Sequence, residues 1–279
     1  PYTTLFERIW HYAFRVICGL ILVFLIMPIL VIIPLSFNAG DYFTFTKEML
    51  ALDPAGYSLQ WYHDFFTNPN WQGAVRNSVI ISIFSTLIAT TLGTLAALGL
   101  SQAQMPAKSA IMALLLSPMI VPLIISAAGM YFFYSRVGLQ GTLIGVILAH
   151  AALGTPFVVI TVTATLVGFD RSLIRAALGL GASPFTVLRR VIVPIILPGV
   201  ISGALFAFIT SFDEVVVVLF VGSFEQRTIP WQMFSGIREH ISPTILAVAT
   251  VLVGVSIVLL TVLELLRRRS ERLRGVVAN

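Results

Sequence analysis

Residues 170–198 read DRSLIRAALGLGASPFTVLRRVIVPIILP, the longest polar-punctuated interval between two strongly apolar blocks. Arg171, Arg175, Arg189 and Arg190 set four positive charges against one acid, Asp170. Such an excess marks a segment left on the cytoplasmic side of a bilayer. Between the charges the apolar spacing is helical, broken by Gly179, Gly181 and the Ser183-Pro184 pair. That pattern predicts a short helix, a turn and a second short helix. A connection this long and this structured serves function rather than mere linkage.

The rest of the composition places the chain in a membrane. Of its 279 residues 58% are hydrophobic and only 10% charged, whereas about a quarter of a soluble domain is charged. Residues 16–35 form an apolar run without a single charge, and roughly 20 such residues in a helix cross a hydrocarbon core of about 30 Å. The net charge of +5 does not indicate a nucleic-acid partner, because Arg267, Arg268, Arg269, Arg272 and Arg274 crowd beside the last apolar run. That placement is a topology signal facing membrane lipid. The single Cys18 rules out an internal disulfide framework. The charged start, with Glu7, Arg8, His11 and Arg15, leads into a run too long for a secretion signal, so it reads as a retained first span.

Six transmembrane helices are expected, at about residues 14–37, 75–100, 109–133, 142–166, 198–221 and 243–263, in one domain covering 1–279. With both termini inside, the inner segments hold twelve basic residues: Arg8, Arg15, Lys108, Arg171, Arg175, Arg189, Arg190 and the five C-terminal arginines. The outer segments hold five, Lys47, Arg76, Arg136, Arg227 and Arg238. Basic excess belongs in the cytoplasm, so both termini are expected there. The outer segment 38–73 carries Trp61, Tyr62, Phe65, Phe66 and Trp71, aromatics suited to lying along the membrane-water interface.

Within the spans, Gly93, Ala96 and Ala97 are small enough to let another helix approach closely. Pro118 and Pro122 should kink the third span. His150 is a lone intramembrane histidine with no second metal-type ligand at helical spacing, so hydrogen bonding within the bundle is the expectation and no metal site is indicated. Asp213 and Glu214 stand side by side in an otherwise apolar run. An acid at mid-membrane costs about 2.5–3.5 kcal/mol on insertion scales, so the pair must be compensated or lie near water. Counted from Pro198 the pair falls about 22 Å into the core, in its outer half. Consecutive helix positions diverge, so at most one of the two can face a central pathway. The outer loop that follows mixes Glu225, Arg227, Arg238 and Glu239 with Trp231, a composition that can dock another protein or form a solvated face.

A family resemblance enters with the residues of the opening stretch. Arg175-Ala176-Ala177, then Gly181, then Val191-Ile192-Val193-Pro194 resembles the EAA loop of inner-membrane permease subunits of ATP-binding-cassette importers, E-A-A-x3-G-x9-I-x-L-P, with the spacing kept throughout. Arg76-Asn77-Ser78, the paired prolines, Ser211-Phe212-Asp213-Glu214, Arg227-Thr228-Ile229-Pro230 and residues 237–243 look like the spermidine/putrescine branch, of its second-permease type. The resemblance implies an all-α type I importer (MetI-like) permease fold of six transmembrane helices, located in the bacterial inner membrane. It also implies a second permease, two ATPase subunits that bind ATP and Mg in place of this chain, and a periplasmic binding protein. The loop 170–197 would then supply a coupling helix to an ATPase groove through Arg175, Ala176, Ala177, Leu178, Gly181, Ala182 and Ser183. Asp213 and Glu214 would line the path of a cationic or amine-bearing solute, and Glu225, Arg227, Trp231, Arg238 and Glu239 would meet the binding protein. One departure stands out: Arg175 occupies the place of the pattern's Glu, so an ion pair made by that acid cannot form here.

Other functions fit less well. Gly179-Leu180-Gly181 is not a phosphate loop, for no strand precedes it and no G-x4-G-K-[ST] occurs in the chain. No nucleophile or metal pattern joins His150, Asp213 and Glu214 into a catalytic set. An ion-gradient-driven transporter would show internal repeats around a midplane site, and it would leave the pattern from Arg175 to Pro194 without a role. Within the importer reading, an opine or amino acid is the alternative cargo.

Overall fold

The computed structural model describes residues 4–102, 104–170, 172–239 and 242–273. Arg171 and Arg274, both used above to orient the chain, lie outside them. The regular elements of the described chain are helices, with one isolated bridge between Asn38 and Tyr57. In order the chain forms α1 (Leu5–Leu35), α2 (Lys47–Leu50), α3 (Gln60–Thr67), α4 (Pro69–Leu100), α5 (Lys108–Ile120), α6 (Leu123–Val137) and α7 (Leu143–Val167). There follow α8 (Ser172–Gly179), α9 (Pro184–Val187), α10 (Val193–Phe212), α11 (Val216–Val221), α12 (Ile229–Glu239) and α13 (Thr244–Leu273). Among the described residues four helices are long and apolar enough to cross a membrane, Leu5–Leu35, Pro69–Leu100, Leu143–Val167 and Pro184–Phe212. A fifth is added if α5 and α6 count as one broken span. The last expected span falls on α13, whose described apolar part is Thr244–Val258.

Two expected spans are corrected. The third is not a kinked rod but two helices meeting at 104°. Pro122 forces the residue before it out of the helical region, and Val121 is accordingly extended at φ −70° and ψ 133°. The fifth does not run unbroken over 198–221: a helical stretch begins as early as Pro184 and stops at Phe212, and α11 starts afresh at Val216. A single π turn at Leu188–Ile192 joins α9 to α10 without a loop.

The chain divides into two compact units, one of residues 1–68 with 236–279 and one of residues 69–235. In the first, a small knot follows α1. Asn38 donates to the carbonyls of Tyr42 and Thr44 at 2.9 and 2.7 Å, accepts from Gly40 N–H at 2.8 Å, and its own carbonyl takes the Trp61 indole N–H at 2.7 Å. The Thr244 hydroxyl donates to the Asp64 carboxylate at 2.8 Å, tying α13 to α3. No residue in the most apolar stretch of α1 is buried.

The second unit is built on α4, α7 and α10. Gly93, Gly154 and Gly203 let these helices approach closely. A Cβ on Gly93 would stand 2.7 Å from the Val158 Cβ, and one on Gly203 would stand 2.8 Å from the Val158 Cα. Ala89, Ala97, Ala151, Val158, Val162, Ile196 and Ala207 fill that seam. Small residues are what membrane helices need there, since lipid gives no hydrophobic drive and contact rests on close packing. A second cluster, with Ile81, Ala127, Val146, Val217 and Val221, joins α4, α6, α7 and α11.

Candidate functional site

Three constructions in the second unit bring together the residues that the sequence singles out. The first is the loop around α8. Asp170 opens it as an Asx turn: its carboxylate accepts from the Ser172 amide at 2.8 Å and from the Ser172 hydroxyl at 2.6 Å. The Ser172 hydroxyl chiefly, with its amide and the nearby Arg175, holds the Asp170 carboxyl below its ordinary pKa. Arg175, Ala176, Ala177 and Leu178 then lie on α8. The helix closes with a two-bond turn, Ala182 N–H to Ala177 O at 3.1 Å and Gly181 N–H to Leu178 O at 3.0 Å. This is a Schellman closure, which requires a left-handed residue at its hinge; Gly181 supplies it with φ +82°. Ser183 caps α9, its hydroxyl accepting from the Thr186 amide at 3.3 Å.

Leu178, Leu180 and Phe185 are exposed on this loop, at 47%, 89% and 70%. Arg175 is exposed as well, at the mouth of a cleft of about 280 Å³ whose other walls include Leu98, Gln102, Leu166, Phe169, Ile174 and Ile192.

The second construction is the interruption between α10 and α11. Asp213 and Glu214 are not inside a continuous helix, as their apolar surroundings suggest, but at its break. Asp213 ends α10, its amide bonded to Ile209 O at 3.1 Å, and is exposed. Glu214 is buried, and its Oε1 accepts from the Val217 amide at 3.0 Å. The acid therefore caps α11, satisfying one of the donors that a helix start leaves unpaired. The two acids thus differ: Asp213 is exposed and Glu214 is engaged by backbone.

Behind the break lies a buried polar seam. Ser85 of α4 donates to the Ser211 hydroxyl at 2.8 Å, and His150 Nδ1 of α7 stands 2.9 Å from the same oxygen. His150 is thus held by hydrogen bonding within the bundle, as expected, and among the described residues no group of three or more His, Cys, Asp or Glu gathers as metal ligands.

The third construction is the loop from Ser223. Gln226 Oε1 accepts from the Ser223 hydroxyl at 2.6 Å and amide at 3.0 Å, closing a tight turn. Arg227 lies over the Phe224 ring at 3.4 Å from its centroid, and its Nε donates to Phe224 O at 3.0 Å. Partial burial pulls its pKa down from the ordinary value. Glu225 is exposed, and Trp231 is half-buried against the apolar cluster of this unit. Arg238 is exposed on the last turn of α12, which Glu239 ends; both belong to the first unit.

The loop is fastened by residues to which the sequence reading gave no mechanical role. Asn77 Nδ2 donates to Glu225 O at 2.7 Å and to Arg227 O at 3.0 Å, and the Ser78 hydroxyl accepts from the Ile229 amide at 2.8 Å. Ser78, Ser82 and Ser85 recur at i, i+4 and i+7 along α4. That polar stripe on one helix face was the available signal for a buried seam.

With the geometry in hand, comparison with known proteins is decisive for the class. Residues 89–274 match the family model described as binding-protein-dependent transport system inner membrane component. The spermidine/putrescine transport system permease protein PotC of Haemophilus influenzae is 32% identical over 248 residues, covering 89% of this chain and 93% of that protein. The putrescine transport system permease protein PotI of Escherichia coli strain K12 is 29% identical over 238 residues, covering 83% and 82%. A chain from the crystal structure of a bacterial ABC transporter involved in the import of the acidic polysaccharide alginate superposes with a TM-score of 0.75 at 15% identity, covering 95% of this chain and 98% of its own. At that identity the likeness speaks for the fold alone. This chain is a multi-pass inner-membrane permease subunit of an ABC importer, a transport component rather than an enzyme. It belongs to the family of binding-protein-dependent transport system inner membrane components.

Proposed function

We propose that the chain forms half of the translocation pathway of an ATP-driven importer for a small cationic or amine-bearing solute of the polyamine type. In this reading it pairs with a second permease, a periplasmic binding protein delivers the solute, and two ATPase subunits bind ATP and Mg. Six helices cross the membrane, α5 with α6 and α13 supplying the last two, and both termini are cytoplasmic.

The observation that carries the coupling role is the fold of residues 172–185. The helix α8 is closed by Gly181, and Leu178 on it, Leu180 in the closing turn and Phe185 on α9 are all exposed. Exposed apolar side chains in a segment with this basic balance are accounted for by a partner groove. With Arg175 in the place of the acid of the family pattern, docking rests on packing. The polyamine cargo is supported by relatives near 30% identity that are named for spermidine and putrescine. The exposed carboxylate of Asp213, at the end of a span, suits such a cation.

The test is reconstitution of this chain with its co-purifying partners in liposomes. Uptake of labelled spermidine, putrescine and a neutral amino acid is measured with ATP and, separately, with an ion gradient alone. ATP-dependent amine uptake is the expected result. ATP-dependent uptake of the amino acid alone discards the cargo, and gradient-driven uptake without the ATPase discards the importer mechanism.

A further inference from the structure

The helix α4 is 32 residues long, about 48 Å at about 1.5 Å per residue, and it touches every construction described above. Near its outer end Asn77 and Ser78, both buried, hold the loop from Glu225 to Ile229 by three hydrogen bonds to backbone. At its middle Ser85 bonds Ser211, which lies beside the end of α10 at Phe212. At its inner end Leu98 and the following Gln102 wall the cleft that Arg175 of α8 also borders. Each of these contacts lies within one compact unit.

From this arrangement we infer that Asn77 is a positioning residue for transport: it fastens the outer loop to α4, so that a load placed on the loop reaches the α10 break and the cytoplasmic loop through that helix. The chemistry favours Asn77 over its neighbours. One amide group bridges two carbonyls of the same turn, so the loop is fixed in two places by a side chain rooted on α4. The loop cannot shift against α4 without stranding the buried Asn77 amide and two partly buried carbonyls, and leaving such groups unpaired is costly. The loop and the helix therefore move together. A helix end that moves with its load, and bonds a second helix at mid-length, transmits displacement along its axis because packed helices slide as units rather than deform. This inference rests on the proposal that the outer loop meets the binding protein.

The test uses the intact complex, with its second permease and ATPase subunits, in liposomes, with the loaded binding protein added. Two quantities are read: affinity for the binding protein, and the ratio of stimulated to unstimulated ATP hydrolysis. Asn77→Asp puts a carboxylate against two carbonyls; Ser78→Ala removes one acceptor without adding volume. The expected result is a loss of stimulation on the order of fivefold or more at saturating binding protein, with affinity and unstimulated hydrolysis kept. Full stimulation in both variants overturns the inference. So does weakened affinity with full stimulation at saturation, for Asn77 would then only shape the docking surface. Should the Asn77→Asp complex fail to assemble, Ser78→Ala decides in the same assay. Arg227→Glu is measured alongside: unchanged affinity there removes the docking role of the loop, a failure separate from the loss of transmission.

Discussion

His150 Nδ1 and the Ser211 hydroxyl stand 2.9 Å apart, and Ser85 donates to that same hydroxyl, so one oxygen joins three helices just before α10 ends. Ser211→Ala leaves His150 Nδ1 buried and unpaired, at about 1–3 kcal/mol, while Ser85 keeps its bond to the Ser82 carbonyl at 3.2 Å. The variant is expected to lower the thermal unfolding midpoint of the purified complex. Because Ser85 and Ser211 share one bond, Ser85→Ala combined with Ser211→Ala should cost less than the sum of the two. Additive losses in the double mutant would show that the seam is not coupled.

Gly181 holds φ +82° at the hinge of the closing turn of α8, a region that costs other L-residues about 1–2 kcal/mol. Asn tolerates it better than Ala or Val. Uptake by reconstituted complexes should therefore fall in the order Gly, Asn, Ala, Val, with membrane insertion unchanged. Equal uptake across the series would separate the turn from transport.

Gly203→Val places a Cβ 2.8 Å from the Val158 Cα, where backbone must move. Overpacking of this kind costs about 1–3 kcal/mol. The expected outcome is reduced yield of folded complex, read by size-exclusion chromatography. Gly129→Ala, where nothing lies within 4 Å, serves as the tolerated control.

Asp213 and Glu214 are adjacent and should nonetheless respond differently. Asp213 is exposed, so Asp213→Asn should raise the KM for a cationic substrate and leave assembly intact. Glu214→Gln keeps an oxygen for the Val217 amide and should transport nearly as the parent, whereas Glu214→Leu loses the cap and should destabilise the complex. Transport measurements with thermal unfolding of each variant separate the two effects. Failed assembly of Asp213→Asn would make that acid structural.

The Asp170 carboxyl is held below its ordinary pKa by Ser172. A group whose pKa is depressed by folding stabilises the fold above its unfolded value, here 3.8, and loses that contribution as the pH falls through the folded value. The turn into α8 is thus fully supported at neutral pH and weakens only in acid below about 4. Asp170→Ala should reproduce the weakened state at pH 7, as faster amide hydrogen exchange over 172–179. Unchanged exchange would show that Asp170 does not hold the turn.

The sequence makes some of these features legible and hides others for physical reasons. The helix-turn-helix of 172–187 is readable because Gly181 and Ser183-Pro184 act through local backbone geometry, which travels with the residue type. The bend at Val121-Pro122 is readable as a site, since proline restricts its predecessor, but its 104° angle is not, because packing sets how far a freed joint folds. The break after Phe212 escaped because a count of apolar residues cannot tell an acid inside a helix from an acid that caps the next one. Asn77 and its carbonyl partners are separated by 148 and 150 positions, and no local pattern reports a contact that only the folded chain creates.

The π turn at Leu188–Ile192 gives the loop around α8 a phase that depends on chain length. A π turn carries one residue more than an α turn, and one residue in an α-helix corresponds to about 100° of rotation. Removing any single residue from 188–192 would let α9 and α10 fuse into regular helix and swing α8 and its closing turn by about a quarter turn or more relative to α10. Substitutions that keep the number of residues leave the aim of Leu178, Leu180 and Phe185 alone. Along this stretch, evolutionary drift in residue identity is mechanically cheap, and a one-codon deletion is not.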